Sequence, residues 1–269
     1  MPSPTEITPK DLMRLVGTPG APVLVDVRLD EDFVEDPRLV PTAFRWPFGE
    51  MAALEPRLAG RRVVVICQKG LKLSQGAAAL LRAAGVDAET LRGGFVGWRE
   101  AGLPLAPAAA IPRGAGGRTL WVTRHRPKID RIACPWLIRR FVDPDARFLF
   151  VAPSEVEAVA ERFGATPFDV ASVQWTHRGD GCTFDTMLDE FGLRTPPLDR
   201  LSTIVRGADT ARPDLAPEAK GLMAVSFGLS RMRRDDLEQL DDAMIVYDAL
   251  YRWARDASDE THDRTPEAA

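Results

Sequence analysis

The N-terminal third of the chain contains short apolar runs separated by longer segments with a helical pattern. The clearest runs are VLVDVR at residues 23–28 and RVVVI at residues 62–66. Because these runs are rich in β-branched residues, they predict buried strands, and their alternation with helices predicts a parallel sheet. The predicted fold class of this part is therefore α/β, with a parallel sheet flanked by helices.

The C-terminal half shows a different pattern. TLWVTR at residues 119–124 and ARFLFVA at residues 146–152 predict strands, whereas most of the remaining sequence has helical spacing. This half is therefore predicted to be a helix-rich α+β domain.

Two helices in this half have recognisable ends or faces. Ser154 stands three residues before Glu157, as in a capping box, and Gly164 is placed to end that helix. The last helix is predicted at residues 235–256. Its apolar face is expected to pack in the core and contains Leu237, Leu240, Met244, Tyr247 and Tyr251.

Chain length and a proline- and glycine-rich stretch predict two domains. A chain of 269 residues exceeds a comfortable single core. The segment LPLAPAAAIPRGAGGR, residues 103–118, has no periodic apolar pattern and is typical of a linker. The predicted boundaries are a first domain at 5–106, a linker at 107–117, a second domain at 118–256 and a disordered tail at 257–269.

Composition narrows the range of functions. The net charge of −4 argues against a nucleic-acid partner, although a local basic patch is compatible with it. The sequence has no apolar run long enough to span a membrane and no secretory signal pattern, so we expect a cytoplasmic protein without a membrane partner. Three cysteines, Cys67, Cys134 and Cys182, are too scattered for a disulfide framework, which leaves individual thiols for chemistry.

The most informative segment is the loop after the run at 62–66, which begins with Cys67. The next helix should start near Leu73 or Ser74 and point its N-terminus at the loop, where unpaired amides and the helix dipole stabilise an anion. Lys69 and Lys72 add positive charge, and Gly70 allows the backbone to curl around a bound anion.

Three interpretations of this loop are open. A buried cysteine after a strand can simply be a small apolar residue. A cysteine phosphatase needs a five-residue loop followed by an arginine that binds phosphate bidentately, but the sixth residue after Cys67 is Leu73. The shorter loop favours a persulfide, whose outer sulfur needs a smaller cradle.

Residues 5–106 resemble the rhodanese family through three segments, LVDVRLDEDF at 24–33, CQKGLK at 67–72 and LRGGFVGWREAGLPL at 91–105. The resemblance implies a rhodanese-like parallel sheet flanked by helices and no cofactor. It also implies that Cys67 is the catalytic nucleophile. The partners implied are a small anionic sulfur donor such as thiosulfate and a thiol acceptor.

The same resemblance assigns roles around Cys67. It implies that Asp26 and Arg28 support the loop and that Lys69 and Lys72 attract the donor. The substrate-binding loop would then comprise Gln68, Lys69, Gly70, Leu71 and Lys72. One departure is Gln68, which stands where many members have arginine.

TRHRPKIDRIACPWLIRRFVDP, at residues 123–144, is strongly basic in an acidic protein. It could be a solvated face with salt bridges to acidic helices. Alternatively, Arg124, Lys128 and Arg131 could form a site for an oxyanion, because guanidinium groups bind oxyanions bidentately. Cys134 lies among apolar residues and is expected to pack.

The turn HRGDGCTFD, at residues 177–185, offers candidate metal ligands. His177, Cys182 and Asp185 would supply nitrogen, sulfur and oxygen ligands to zinc or iron, with water or a carboxylate such as Asp130 or Glu190 as the fourth. The alternative is a hydrogen-bonded turn in which Thr183 caps the following helix.

Residues 118–256 resemble the C-terminal domain of ChrB-type chromate resistance proteins. The resemblance is carried by the basic segment, the turn at 177–185, IVRGADT at 204–210 and VYDALYRW at 246–253. It implies a link to chromate resistance or to chromate-responsive regulation. Two functions therefore remain open, a sulfurtransferase or a non-catalytic sensor of chromate or sulfur stress.

Overall fold

The computed structural model describes residues 5–114, 117–171 and 173–260. The N-terminal part is built on a five-stranded sheet with all neighbouring strands parallel, in the order β1-β6-β5-β2-β4. A separate antiparallel pair joins β3 to β7. The strands of this part are β1 Glu6–Ile7, β2 Val23–Asp26, β3 Arg38–Leu39, β4 Phe44–Arg45, β5 Arg62–Ile66, β6 Asp87–Leu91 and β7 Ala106–Pro107.

Helices alternate with the strands of this sheet, as the apolar runs predict. Short 3-10 turns are added at Phe48–Glu50 and Ala108–Ala110. The α-helices are α1 Pro9–Leu15, α2 Asp30–Glu35, α3 Met51–Leu58, α4 Lys72–Ala83 and α5 Gly94–Glu100. The predicted α/β fold class of this part is confirmed.

The C-terminal part is rich in helices around a small parallel sheet of order β10-β8-β9. The predicted helix-rich fold of this part is confirmed. Its strands are β8 Leu120–Arg124, β9 Arg147–Val151 and β10 Thr166–Pro167. A π-helical turn, Ile138–Val142, extends the first of its helices. Those helices are α6 Asp130–Leu137, α7 Val156–Phe163, α8 Thr183–Glu190, α9 Pro196–Asp209, α10 Glu218–Met232 and α11 Asp236–Asp256.

Two of the predicted helix features need correction. Ser154 lies in a 3-10 turn before α7, and its hydroxyl donates to the adjacent Glu155, so the predicted capping box is absent there. Gly164 does end α7, in a left-handed conformation. In α11, the side chain of Asp235 caps the helix, and the predicted apolar face is buried except for Leu237, which is 46% exposed.

A continuous apolar core joins the two parts of the chain. Gly17 lies so close to Phe141 and Tyr251 that any side chain at this position would collide with their rings. The amide of Thr42 donates to the carbonyl of Phe141 across the same boundary, at 2.9 Å. The two parts therefore share packing.

Part of the predicted linker is ordered. Ala106 and Pro107 form β7, which pairs with β3, and Ile111 is buried in the shared core. Burial removes the apolar surface of these residues from water, which stabilises a fixed conformation of this segment. At the other end of the chain, residues 257–260 follow α11, and the rest of the predicted tail lies outside the described residues.

Candidate functional sites

The first candidate site surrounds Cys67, which follows β5 directly and lies before the first turn of α4. Its thiol is nearly buried, with 4% of the residue exposed. The Sγ atom lies 3.1 Å from the hydroxyl oxygen of Ser74, on the first turn of α4. That hydroxyl also lies 3.2 Å from the carbonyl of Leu71. Ser74 therefore has a single proton to share between a sulfur and a carbonyl.

The loop is packed against the start of α5 through two glycines. Gly70 has a φ of +70°, and a Cβ there would lie 2.5 Å from the carbonyl oxygen of Leu91 and 2.8 Å from the amide of Gly94. A Cβ on Gly94 would in turn collide with the carbonyl of Cys67. Only glycine fits at these two positions, so the pair of glycines sets how closely the loop approaches α5.

The loop backbone leaves its own donors available. The amides of Phe95 and Val96 donate to the carbonyls of Cys67 and Gln68, which holds the loop from outside. Within the described part of the chain, the amides of residues 68–71 donate to no backbone carbonyl. These amides can therefore serve an anion next to Cys67.

The side chains of the loop divide into exposed and inward groups. Lys69, Leu71 and Lys72 are exposed. Neither lysine forms a salt bridge with any residue that the structure describes, so both charges face solvent. Gln68 is half-buried, and its Oε1 atom lacks a hydrogen-bond partner within the described chain.

Asp26 and Arg28 form a buried ion pair at the end of β2, with 2.7 Å between Arg28 Nη2 and Asp26 Oδ2. The guanidinium also donates to the carbonyls of Asp36 and Arg38 and lies 3.7 Å from the ring centroid of Phe95. Because the amide of Phe95 donates to the carbonyl of Cys67, Arg28 reaches the loop through α5. It does not contact the thiol.

The second candidate site lies in the C-terminal part, beside the basic segment. Arg124 and Arg131 converge on the carboxylate of Asp169, at 3.1 and 3.3 Å. Lys128 lies elsewhere, with its ammonium 5.5 Å from the ring centroid of Phe227. The structure therefore brings together two of the three cations predicted for an oxyanion site, and both already pair with an acid.

The predicted metal ligands His177, Cys182 and Asp185 are not brought together as one set. Asp185 faces α9 and the segment before it, where it accepts hydrogen bonds from Ser202, Arg206 and Arg194. Cys182 is fully buried, and its thiol donates to Asp185 at 3.3 Å.

The surroundings of Cys182 also disfavour the charged form of its thiol. Burial and the charges of Asp130 and Asp185 raise the pKa of this thiol. Cys182, not Thr183, is the N-cap residue of α8. Glu190, expected as a candidate fourth ligand, pairs with Arg178.

His177 instead faces three aspartates from distant parts of the chain. Its Nε2 atom lies 3.2 Å from Asp209 Oδ2, 3.4 Å from Asp130 Oδ2 and 3.5 Å from Asp169 Oδ1. Asp130 begins α6, Asp209 ends α9, and Asp169 lies just after β10. Asp130 is thus the one member of the sequence-based proposal that joins His177.

The charges in this cluster shift its ionisation. Burial, more than any other cause, raises the pKa of Asp130 to about 6. Hydrogen bonds to Asp130, Asp169 and Asp209 raise the pKa of His177 to about 12. Burial alone would raise the pKa of Asp169, but His177 and Arg124 lower it overall. Without a bound cation, His177 is therefore a protonated partner of its carboxylates.

Two family profiles match separate parts of the chain. A rhodanese-like domain is matched at residues 8–101, and the family described as ChrB, C-terminal domain, is matched at residues 121–254. The chain joins a rhodanese-like domain to a ChrB C-terminal domain. Both resemblances drawn from the sequence are confirmed.

Individual relatives match parts of the chain. Protein ChrB of Cupriavidus metallidurans is 37% identical over 132 residues, which cover 49% of this chain and 39% of that protein. A thiosulfate sulfurtransferase structure from Pseudomonas aeruginosa is 28% identical and covers 39% of this chain and 19% of its own, with a TM-score of 0.34. A rhodanese-like domain protein from Staphylococcus aureus is 26% identical and covers 35% and 90%, with a TM-score of 0.31.

Several site residues cannot be assigned from the local pattern alone. The sequence marks Ser74 as a helix start, and its place seven residues after Cys67, on the first turn of the helix, is a usable signal for a partner of the thiol. The contacts of Asp169 and Asp209 with His177 depend on tertiary packing, although Asp209 lies in the segment at 204–210 that carries the ChrB resemblance.

Among the helices that the structure describes, none has both the length and the apolar composition to cross a bilayer.

Proposed function

We propose that the rhodanese-like domain is a sulfurtransferase in which Cys67 carries a persulfide, and that the protein serves chromate resistance. The observation that carries the proposal is the group of loop amides at residues 68–71, directly after Cys67, which donate to no backbone carbonyl in the described part of the chain. A persulfide and the leaving anion of its donor both need such donors. The ChrB C-terminal domain supports the link to chromate.

The reaction proceeds in two displacements. The Cys67 thiolate attacks the outer sulfur of thiosulfate, forming a bond between the two sulfurs as sulfite leaves with the electron pair of the bond that breaks. An acceptor thiolate, or cyanide in an assay, then attacks the outer sulfur of the persulfide and releases the Cys67 thiolate. No external oxidant or reductant is consumed, and Cys67 acts as a nucleophilic catalyst.

Ser74 fits this cycle as a hydrogen-bonding partner of the sulfur. In the thiol form, Cys67 donates to the Ser74 oxygen while the Ser74 proton is directed to the carbonyl of Leu71. When the thiolate forms, the same hydroxyl can turn and donate to Sγ. A hydrogen bond to the charged form favours that form.

The exposed charges of the loop support an anionic donor. Lys69 and Lys72 are exposed, follow Cys67 by two and five residues, and form no salt bridge with described residues, so they can raise the local concentration of a dianion. This function needs no metal or organic cofactor. An acceptor thiol would reach Cys67 from the same exposed side.

The test is sulfur transfer by the full-length protein from thiosulfate to cyanide. The wild type should form thiocyanate and, without cyanide, gain the mass of one sulfur. Cys67→Ser should lose both signals. Cys182→Ser, which changes a buried cysteine in the other domain, should retain them. If the wild type neither gains sulfur nor forms thiocyanate, the enzyme proposal fails and the sensor function is the remaining hypothesis.

A further inference from the structure

The cluster around His177 has a geometry that the sulfur chemistry of Cys67 does not use. One ligand atom from each of Asp130, His177 and Asp209 lies within 4.8 Å of the other two. The two shortest separations, from His177 Nε2 to the carboxylate oxygens, are 3.2 and 3.4 Å. A zinc ion held at about 2.0–2.2 Å in tetrahedral geometry keeps its ligand atoms about 3.4 Å apart. Two of the three ligand separations thus already match those of ligands to one ion.

Asp130 provides an independent observation. The residue is fully buried, and its Oδ1 atom has no hydrogen-bond partner among the described residues. Its Oδ2 atom accepts from the amide of Thr183 at 2.6 Å and lies close to His177. A buried carboxylate oxygen without a partner is costly, because it has lost its hydration and gained nothing in exchange. A metal ion bound by both oxygens of this carboxylate would provide that missing partner.

The cluster carries an excess of negative charge, which also favours a bound cation. Three aspartates surround one imidazole, but Arg124 and Arg131 both pair with Asp169. In the part of the chain that the structure describes, Asp130 and Asp209 pair with no cation other than His177. A divalent cation between them would balance both carboxylates and allow His177 to be neutral.

We propose that Asp130, His177 and Asp209 bind one divalent transition-metal ion through a nitrogen and two carboxylate oxygens. Imidazole with carboxylates suits zinc, iron(II) or manganese(II) better than the soft metals that thiolates select. The side chain of His177 is 40% exposed, so the ion can enter from solvent and retain open coordination positions. Asp169 is an outer carboxylate held by Thr183 and the two arginines.

Metal binding by the purified full-length protein tests this site directly. Protein stripped with a chelator and dialysed against zinc should retain close to one ion per chain. His177→Ala should lose the ion, and Asp209→Asn should weaken zinc affinity by about tenfold or more. The Asp209→Asn variant keeps an oxygen that can accept the hydrogen bond from the amide of Asp130, so it addresses the site even if His177→Ala misfolds.

Two control variants identify the ligands. His125→Ala removes an exposed histidine of the same domain and should leave zinc binding unchanged. Cys182→Ser should also retain the ion, and the cobalt-substituted wild type should lack near-ultraviolet thiolate-to-cobalt absorption. Loss of metal in Cys182→Ser, or a thiolate band with cobalt, would overturn the proposed ligand set. A folded wild type that takes up neither zinc nor cobalt would overturn the site itself.

Discussion

Gly70→Ala is expected to destabilise the protein and to abolish sulfur transfer, because the loop has no room for a Cβ. The φ of Gly70 is +70°, and a Cβ would lie 2.5 Å from the carbonyl oxygen of Leu91. Gly60 is a matched control, because its φ is +71° and a Cβ at that position would have no atom within 4 Å. The two substitutions therefore impose the same backbone strain and differ in their contacts.

The expected magnitudes follow from the backbone strain and the collision. An alanine in the left-handed region costs about 1–2 kcal/mol, which applies to both variants. The collision at Gly70 forces a backbone shift that costs about 1–3 kcal/mol more. The gain from restricting the unfolded chain, about 0.4–1 kcal/mol, also applies to both and cancels in the comparison.

Urea unfolding followed by circular dichroism, together with the thiocyanate assay, measures both effects. Gly70→Ala should unfold at lower urea than Gly60→Ala and should lose sulfur transfer, whereas Gly60→Ala should keep it. Equal stabilities for the two variants, or normal sulfur transfer by Gly70→Ala, would refute the argument that close packing against α5 shapes the loop.

Three further predictions concern single contacts. Replacing Lys69 and Lys72 with alanine should slow reaction with thiosulfate more than with a neutral persulfide donor, and added salt should reduce this difference. Lys10→Ala is the control and should change neither rate. Ser74→Ala should slow sulfur loading severalfold in stopped-flow assays without unfolding the domain, and an unchanged rate would exclude a role for its hydroxyl. Arg131→Ala should reduce thermal stabilisation by chromate or sulfate at matched ionic strength, whereas equal melting shifts would leave only a structural role beside Asp169.

The strands and long helices could be predicted from the sequence because local pattern determines them. The run at 62–66 is a continuous apolar stretch after its first residue, and the structure has a strand at Arg62–Ile66. The helix predicted at 235–256 is observed at Asp236–Asp256. The position of Cys67 between a strand and a helix followed from the same local signals.

The second site could not be predicted in full because it is assembled by packing. Sequence spacing suggested that His177 would meet Cys182 and Asp185 in one turn. In the structure, Asp185 accepts hydrogen bonds from Ser202 and Arg206 on α9 and from Arg194 just before it. His177 instead contacts Asp130 at the start of α6 and Asp209 at the end of α9. The sequence spacing of Asp130 and Asp209 does not indicate that both contact His177.

The shared core at Gly17, Phe141 and Tyr251 has a thermodynamic consequence. Unfolding either domain would expose apolar surface on the other, so the two domains should melt in one cooperative transition. A ligand that binds only the folded form of one domain then stabilises both. Zinc bound near His177 would raise the unfolding temperature of the domain that contains Cys67, and a ligand bound beside Cys67 would in turn protect the zinc site.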